Sequence, residues 1–337
     1  MGKTIKTLVL LTKRQPPSSR VRFTACHDEF LKHGIETEFI PIPSGAIERL
    51  RLFLKTRKYD TVIIQKKTSF KGIELTLMRH LNPNIIFDFD DAVMFHELEH
   101  DRPLTGKDII KFLRTIKYCR AVVAGNRFLA EFATPNCPNV FVLPTPIDTK
   151  KYSLKDYSGE KDKVVIGWIG VSGNLKYLKA LEPALREICK RHPHVVLKII
   201  SNEALQMDGV NVECKKWQIE DEIGDLKSLD IGIMPLDDSL WARGKCGYKI
   251  LQYMGAGVPV VASPVGINAE FIRHGENGFL ATNIEEWERC LEQIIENPEL
   301  RIQMGLKGRA TVEEKYSVKR YAKEYSDIMK SLHGLKK

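Results

Sequence analysis

The sequence predicts an α/β protein of two domains, each with a parallel sheet flanked by helices, and three observations carry that expectation. Runs of β-branched and apolar residues alternate with longer amphipathic segments along most of the chain. A polar, lysine-rich stretch from Asp148 to Lys163 interrupts the alternation, which then restarts. At 337 residues with 43% apolar content, the chain exceeds one hydrophobic core and can bury two.

In the first half, Leu8–Leu11, Thr61–Ile64, Ile85–Asp88, Ala121–Ala124 and Val140–Leu143 read as strands, with helices expected near Arg22–His33 and Ile109–Cys119. In the second half, Val164–Gly170, Val195–Ile200, Ile231–Met234 and Val258–Ala262 read as strands, each followed by a turn and a helical segment. The boundary is expected within the lysine-rich connection, giving domains of 1–155 and 156–315 and a final helical segment, 316–337. Open sheets of this kind bind ligands beyond the carboxyl ends of their strands, so functional groups are sought there.

The opening segment holds the short apolar run Leu8–Leu11 between Lys6 and Lys13, with Pro16 and Pro17 behind it. It reads as a first strand and not as a signal peptide. No stretch approaches the roughly 20 apolar residues that cross a bilayer. Seven scattered cysteines form no close pairs of the kind that bind zinc or act as a redox dithiol, which fits reduced thiols in the cytoplasm.

A formal charge of +9 favours anionic partners: nucleotide phosphates, acidic lipid or nucleic acid. Eight basic residues (Arg49, Arg51, Lys55, Arg57, Lys58, Lys66, Lys67, Lys71) stand against Asp60 alone between positions 49 and 71. Lys107, Lys111, Arg114 and Lys117 recur at helical spacing beside Ile109, Leu113 and Ile116. Both patches read either as solvated helix faces over a core or as a surface for anionic membrane. No aromatic-basic module supports nucleic acid as a partner.

The most informative stretch is Gly244-Lys245-Cys246-Gly247-Tyr248-Lys249, continuing to Ser263. Its glycines open a helix of about eight residues, whose free amides and dipole form an anion site suited to a diphosphate. Lys245 and Lys249, four apart, are expected on one face near it. Gly255, Gly257 and Pro259 end the helix and launch a buried strand.

This run, continued through Pro264–Ile272 and Gly275–Leu280, resembles the carboxyl-terminal signature of family 4 (group 1) retaining glycosyltransferases of the GT-B fold. That family includes bacterial cell-surface polysaccharide and lipopolysaccharide transferases. Ser18–Arg22, Phe87–Asp91, Ala124–Asn126 and Pro144–Asp148 sit where such enzymes have related segments. The resemblance implies two Rossmann-like domains facing a central cleft and a metal-independent hexosyltransferase. A nucleoside-diphosphate sugar is implied as donor, with no cofactor and no metal, and a glycan or lipid-linked acceptor. A sugar-nucleotide epimerase of GT-B architecture or a non-catalytic nucleotide-sugar-binding protein are the alternatives. The cytoplasm is the implied location, with a peripheral place at the inner face of the plasma membrane. The last helix, from Val318 to Leu332, is implied to cross back to the first domain.

In the family, two glutamates separated by seven residues flank the donor helix; the matching positions here are Gly244 and Gln252. Gln252 keeps hydrogen-bonding capacity for ribose hydroxyls. Asp237, Asp238 and Arg243 are candidates for what Gly244 lacks, and Glu270 for a group approaching the donor. An arginine and a lysine follow the first strand of the family's second domain, and aligning on Gly170 puts Val171 and Lys176 there. Ser172, Gly173 and Asn174 form a polar loop expected to add phosphate contacts. The implied donor site therefore comprises Gly170, Ser172, Gly173, Asn174, Lys176, Lys245, Cys246, Gly247, Tyr248, Lys249 and Gln252.

Asp88, Asp90 and Asp91 end a predicted strand. Asp90 or Asp91 is expected to bind sugar hydroxyls, with helix capping by Asp91 as the alternative; with Lys249 these two form the catalytic set. Ser18, Ser19 and Arg20 are expected to face the cleft, and Arg20 or Arg22 to meet an anionic acceptor or form a surface salt bridge. His96-Glu97-Leu98-Glu99-His100 superficially resembles a zinc-peptidase helix but lacks a third ligand, so metal binding is not expected.

Overall fold

The computed structural model describes residues 4–12, 17–95, 106–158 and 162–334. The chain divides into two compact units: residues 1–146, 239–246 and 318–337 form the first, and 147–238 with 247–317 form the second. The His96–His100 segment lies outside the described residues.

The first unit holds β1 (Ile5–Leu11), β2 (Ile35–Pro41), β3 (Thr61–Gln65), β4 (Ile85–Phe89), β5 (Ala121–Ala124) and β6 (Val140–Val142). They form one parallel sheet in the order β2-β1-β3-β4-β5-β6. The chain moves outward from β1 to β2 and then returns across β1 to β3, so the switch of direction falls between β1 and β3. Central strands such as β3 are buried on both faces, as their unbroken apolar runs require. On one face, Leu52, Phe53, Leu75, Met78, Phe112 and Leu129 seal the sheet from helices 46–55, 72–81, 107–117 and 127–133. On the other, Phe23 and Phe30 pack against Tyr321 and Tyr325 of the Val318–Leu332 helix, with ring centroids 5.7–6.4 Å apart.

The second unit holds β7 (Val164–Ile169), β8 (Val195–Ser201), β9 (Val212–Lys216), β10 (Ile231–Met234), β11 (Val260–Ala262) and β12 (Phe279–Leu280). These also pair in parallel, in the order β12-β11-β10-β7-β8-β9. Counted from β7, this is the 3-2-1-4-5-6 order of dinucleotide-binding sheets, with its switch between β7 and β10. Helices 182–191 and 284–296 cover one face; 222–227 and 248–255 cover the other.

The expected exposed connection is only partly exposed. Tyr152 and Lys155 are buried, and Lys155 Nζ pairs with the equally buried Asp230 at 2.8 Å. Arg309 donates to the carbonyls of Thr149, Tyr152 and Gly255. These bonds hold the stretch from Ile147 onward on the second unit, so the change of unit falls at 146/147 instead of 155/156.

Candidate functional site

In the second unit, chemistry gathers at the carboxyl edge around the switch. The Ile169 amide at the end of β7 donates to Tyr253 Oη at 3.1 Å, pinning the Tyr248–Gly255 helix over β7. That helix is eight residues long and is capped by Gly247, whose φ of 63° lies in the left-handed region. A Cβ there would also stand 2.7 Å from the Phe271 ring, so glycine is required twice over. Lys249, in the first turn, brings its Cε to 3.0 Å from where a Cβ on Gly170 would be, and its ammonium lies 5.1 Å from the Trp168 ring centroid. Gly170, Gly247, Tyr248 and Lys249 are thus brought together at one sheet edge.

Lys176 stands on the helix that follows β7, with its ammonium 5.0 Å from the Tyr177 ring centroid. It lines a cavity of about 340 Å³ with Tyr177, Pro235, Asp237, Ser263 and Asn283, at the carboxyl ends of β10 and β11. Asp237, proposed from sequence, belongs to that cavity. Glu270 is exposed on the short Asn268–Phe271 helix.

Several sequence expectations need correction. Lys245 and Lys249 do not share a helix face. Gly244 ends the Leu240–Arg243 helix and Gly247 begins the next, so Lys245 lies between them in the first unit, its ammonium 5.6 Å from the Trp241 ring centroid. Cys246 is half-buried in the same segment. In the loop Ser172, Gly173 and Asn174, the Ser172 amide donates to Asn202, which donates back to Ser172 Oγ; the Asn174 amide donates to Val171 O. Two of the three amides are therefore spent internally. Gln252 is only 5% exposed and donates to Tyr152 Oη at 3.1 Å, and Tyr152 donates to Glu222. That bond uses one of the two amide hydrogens and fixes the orientation of the Gln252 side chain.

The first unit carries a second polar centre, at its own switch. Arg22, expected at the surface, is wholly buried and makes a bidentate pair with Asp88 (2.9 and 2.7 Å), also donating to Leu143 O and Thr145. Neither residue is open to an acceptor. Nothing local marks Arg22 as buried, because its partner Asp88 lies 66 residues away. Arg20 is half-buried.

Lys66, just beyond β3, is a residue that sequence reasoning placed only in a basic patch. Among the described residues it is the single non-glycine with positive φ, 55°. Its ammonium donates to Ser18 Oγ at 2.9 Å across the β1/β3 switch, pairs with Asp90 at 3.0 Å and with Asp91. Burial works against both charges, yet the mutual attraction outweighs it. The Lys66 pKa is raised, and the Asp90 carboxyl is held below the usual carboxylate range by Lys66 and Arg22. Asp90 is 1% exposed, whereas the Asp91 side chain is 40% exposed. Asp91 is the member of the pair that presents a carboxylate outward. Beside it, Ser19 donates to Gln65 Oε1.

The segment 239–246 docks on this centre. Asn126 Nδ2 donates to the carbonyls of Arg243 and Lys245. Gly244 lies so close to Ala92 that a Cβ would stand 2.5 Å from the Ala92 Cβ. A side chain at position 244 would therefore force Ala92, which follows Asp91 directly, to shift.

As for metals, His192, Glu292 and Glu296 bring ligand atoms within 4.8 Å of one another, but Glu292 is already paired with Arg191 at 3.2 Å. Among the described residues no helix is long and apolar enough to cross a membrane.

With this geometry in hand, known proteins give the context. Across 98% of this chain and 99% of its own, the sucrose-phosphate synthase of Thermosynechococcus elongatus superimposes with a TM-score of 0.74 at 11% identity. The Anabaena protein HepE, solved in complex with UDP-glucose, does so with a TM-score of 0.72 at 14% identity, over 98% of this chain and all of its own. The fold is GT-B. Residues 163–297 of this GT-B chain match the family model described as Glycosyl transferases group 1. An uncharacterized glycosyltransferase of Haemophilus influenzae is 29% identical over 152 residues, 42% of each chain. An alpha-1,3/1,6-mannosyltransferase of Dictyostelium discoideum is 25% identical over 164 residues, 48% of this chain and 34% of its own. These alignments cover less than half of either relative's length.

Proposed function

We propose that the chain is a glycosyltransferase that moves a hexose from a nucleoside-diphosphate sugar to a glycan or lipid-linked acceptor, with retention of anomeric configuration. One observation carries the proposal: Gly170, the Lys249 side chain and the start of the Tyr248–Gly255 helix meet at the carboxyl edge of a 3-2-1-4-5-6 sheet, within the segment that matches group 1 glycosyl transferases.

At such an edge the helix amides and Lys249 hold the diphosphate, with Lys176 on the adjoining cavity. As the bond from the anomeric carbon to the diphosphate oxygen lengthens, negative charge grows on that oxygen, and fixed cations and amides stabilise it. The acceptor oxygen bonds to the anomeric carbon on the same face, and its proton passes to the leaving phosphate. This chemistry needs neither a dedicated base nor a divalent metal, because the positive field comes from the protein. Asp91, presented outward and steadied by Lys66, is assigned to sugar hydroxyls; Asp90 supports it from below. A lipid-linked acceptor would bring the enzyme to the inner face of the plasma membrane as a peripheral protein.

Gly244 and Gln252 favour one second reading, a protein that binds nucleotide sugar without transferring it. Incubation with a panel of nucleotide sugars and membrane-extracted acceptors separates the outcomes. Free nucleoside diphosphate with a glycosylated product supports transfer; an epimerised donor, or binding without turnover, overturns it.

A further inference from the structure

The helix Ala46–Lys55 buries Leu52 and Phe53 against the sheet of the first unit. A helix that covers a core in this way is expected to carry polar side chains on its other face. Here the opposite face carries Ile47, Leu50 and Leu54 at i, i+3 and i+7, exposed by 66%, 48% and 48%. The neighbouring helix Gly72–Leu81 is tied to it by Arg49 Nη2 and Glu74 Oε2 at 2.9 Å, and opens with Ile73, 78% exposed. Four large aliphatic side chains therefore stand in water on two adjoining helices.

The charges around them are one-sided. Arg49, Lys55 and Lys66 are engaged by Glu74, Glu38 and the Asp90–Asp91 pair, so they add little to the basic patch read from sequence. Arg51 on the same helix, Arg57 and Lys58 in the turn after it, and Lys71 just before Ile73 are all exposed, against Glu48 as the exposed acid of the helix. The second expected patch contributes less: Lys111 pairs with Asp108 at 2.7 Å, and Arg114 donates to Phe70 O.

We propose that this face seats the protein on an anionic lipid bilayer, with Ile47, Leu50, Leu54 and Ile73 entering the headgroup–acyl boundary and Arg51, Arg57, Lys58 and Lys71 at the lipid phosphates. Exposed apolar side chains at helical spacing, bracketed by cations, match that boundary in both hydrophobicity and charge. Ile47 and Ile73 stand in the first turns of helices that follow β2 and β3. They therefore lie toward the carboxyl edge of the sheet, where Lys66, Asp90 and Asp91 stand, and a lipid-linked acceptor held at this surface would present its sugar there. The proposal rests on the reading of a lipid-linked acceptor.

The test is co-sedimentation of the full chain with vesicles of phosphatidylcholine alone or with about one third phosphatidylglycerol, at low and high salt. Binding is expected only with the anionic vesicles and to fall as salt rises. R57Q/K58Q should weaken it about 30-fold, and I47S/L50S/L54S at least as much, with melting temperatures preserved. Equal partition onto both vesicle types overturns the proposal. So does an unchanged partition of the apolar variant, or an apolar variant whose sole effect is to dissociate a homodimer. UDP affinity, measured separately by calorimetry without vesicles, bears only on the transferase reading, so either can fail while the other stands.

Discussion

Lys66 and Asp90 form an ion pair at 3.0 Å between the ends of β3 and β4, beside the point where the first unit's sheet reverses direction. The lysine reaches it through a left-handed backbone at φ 55°, a conformation that costs a non-glycine residue and persists only where its surroundings enforce it. Removing the cation should be expensive, because the buried Asp90 would lose its ion-pair partner and keep only the Thr145 hydrogen bond and the field of Arg22. Lys66→Met is expected to destabilise the first unit by about 3–5 kcal/mol, with Lys66→Arg recovering part of the loss; equal melting temperatures for all three proteins would refute this role.

The same pair sets a pH dependence. The Asp90 carboxyl is held below its ordinary value of 3.8. Its contribution is therefore complete above that value and is lost as pH falls through the lower folded-state pKa. Thermal denaturation between pH 5 and about pH 2 should show a stability loss that Asp90→Asn diminishes. A loss of the same size in that variant would assign the acid sensitivity to other carboxylates.

Lys249 and Lys176 are expected to hold the diphosphate. Each alanine variant should bind UDP or GDP roughly 10- to 100-fold more weakly, the worth of a charge-assisted hydrogen bond. Melting temperatures without ligand should scarcely change, since neither side chain is buried. Unaltered affinity in both variants would remove these residues from the site.

Gly244→Glu restores in sequence the glutamate that related transferases carry. It should gain nothing. With Ala92 Cβ 2.5 Å from the new Cβ, the substitution is expected to cost about 1–3 kcal/mol and to loosen the 239–246 segment. Higher turnover with unchanged stability would show that the backbone at 244 yields easily.

Turnover is expected to survive a chelator, because lysines and amides supply the positive field. Activity abolished by EDTA and restored by manganese would contradict that.

What the sequence revealed follows burial. The central strands β1, β3, β4, β7, β8 and β10 announce themselves as continuous apolar runs. The strands it missed, β2, β9 and β12, all lie at sheet edges. Ile35–Pro41 alternates charge with apolar residues, Val212–Lys216 is mostly exposed, and Phe279–Leu280 is two residues long. An edge strand owes its place to backbone pairing, which leaves little trace in side-chain composition. Near Gly247 the helix start itself was legible from its glycine, whereas Lys245 was set on a helix face it does not share, because the chain turns between Gly244 and Gly247. The Arg22–Asp88 and Lys66–Asp90 pairs were not, since their partners are 66 and 24 residues apart and nothing local marks an arginine or lysine as buried. The Gln252–Tyr152 bond was equally invisible, its partners lying 100 residues apart.

The aromatic cluster of Phe23, Phe30, Tyr321 and Tyr325 joins the two ends of the first unit's chain, with Phe23 and Tyr325 stacked edge to face. During synthesis the helices holding Phe23 and Phe30 leave the ribosome early, but the surface that shields them arrives only with residues 318–332. In the interval that face of the first unit lacks its covering helix, while the second unit can close as soon as residue 317 has emerged. The first unit is thus begun first and finished last. A truncation before Tyr321 would leave that apolar face permanently uncovered and is expected to promote aggregation.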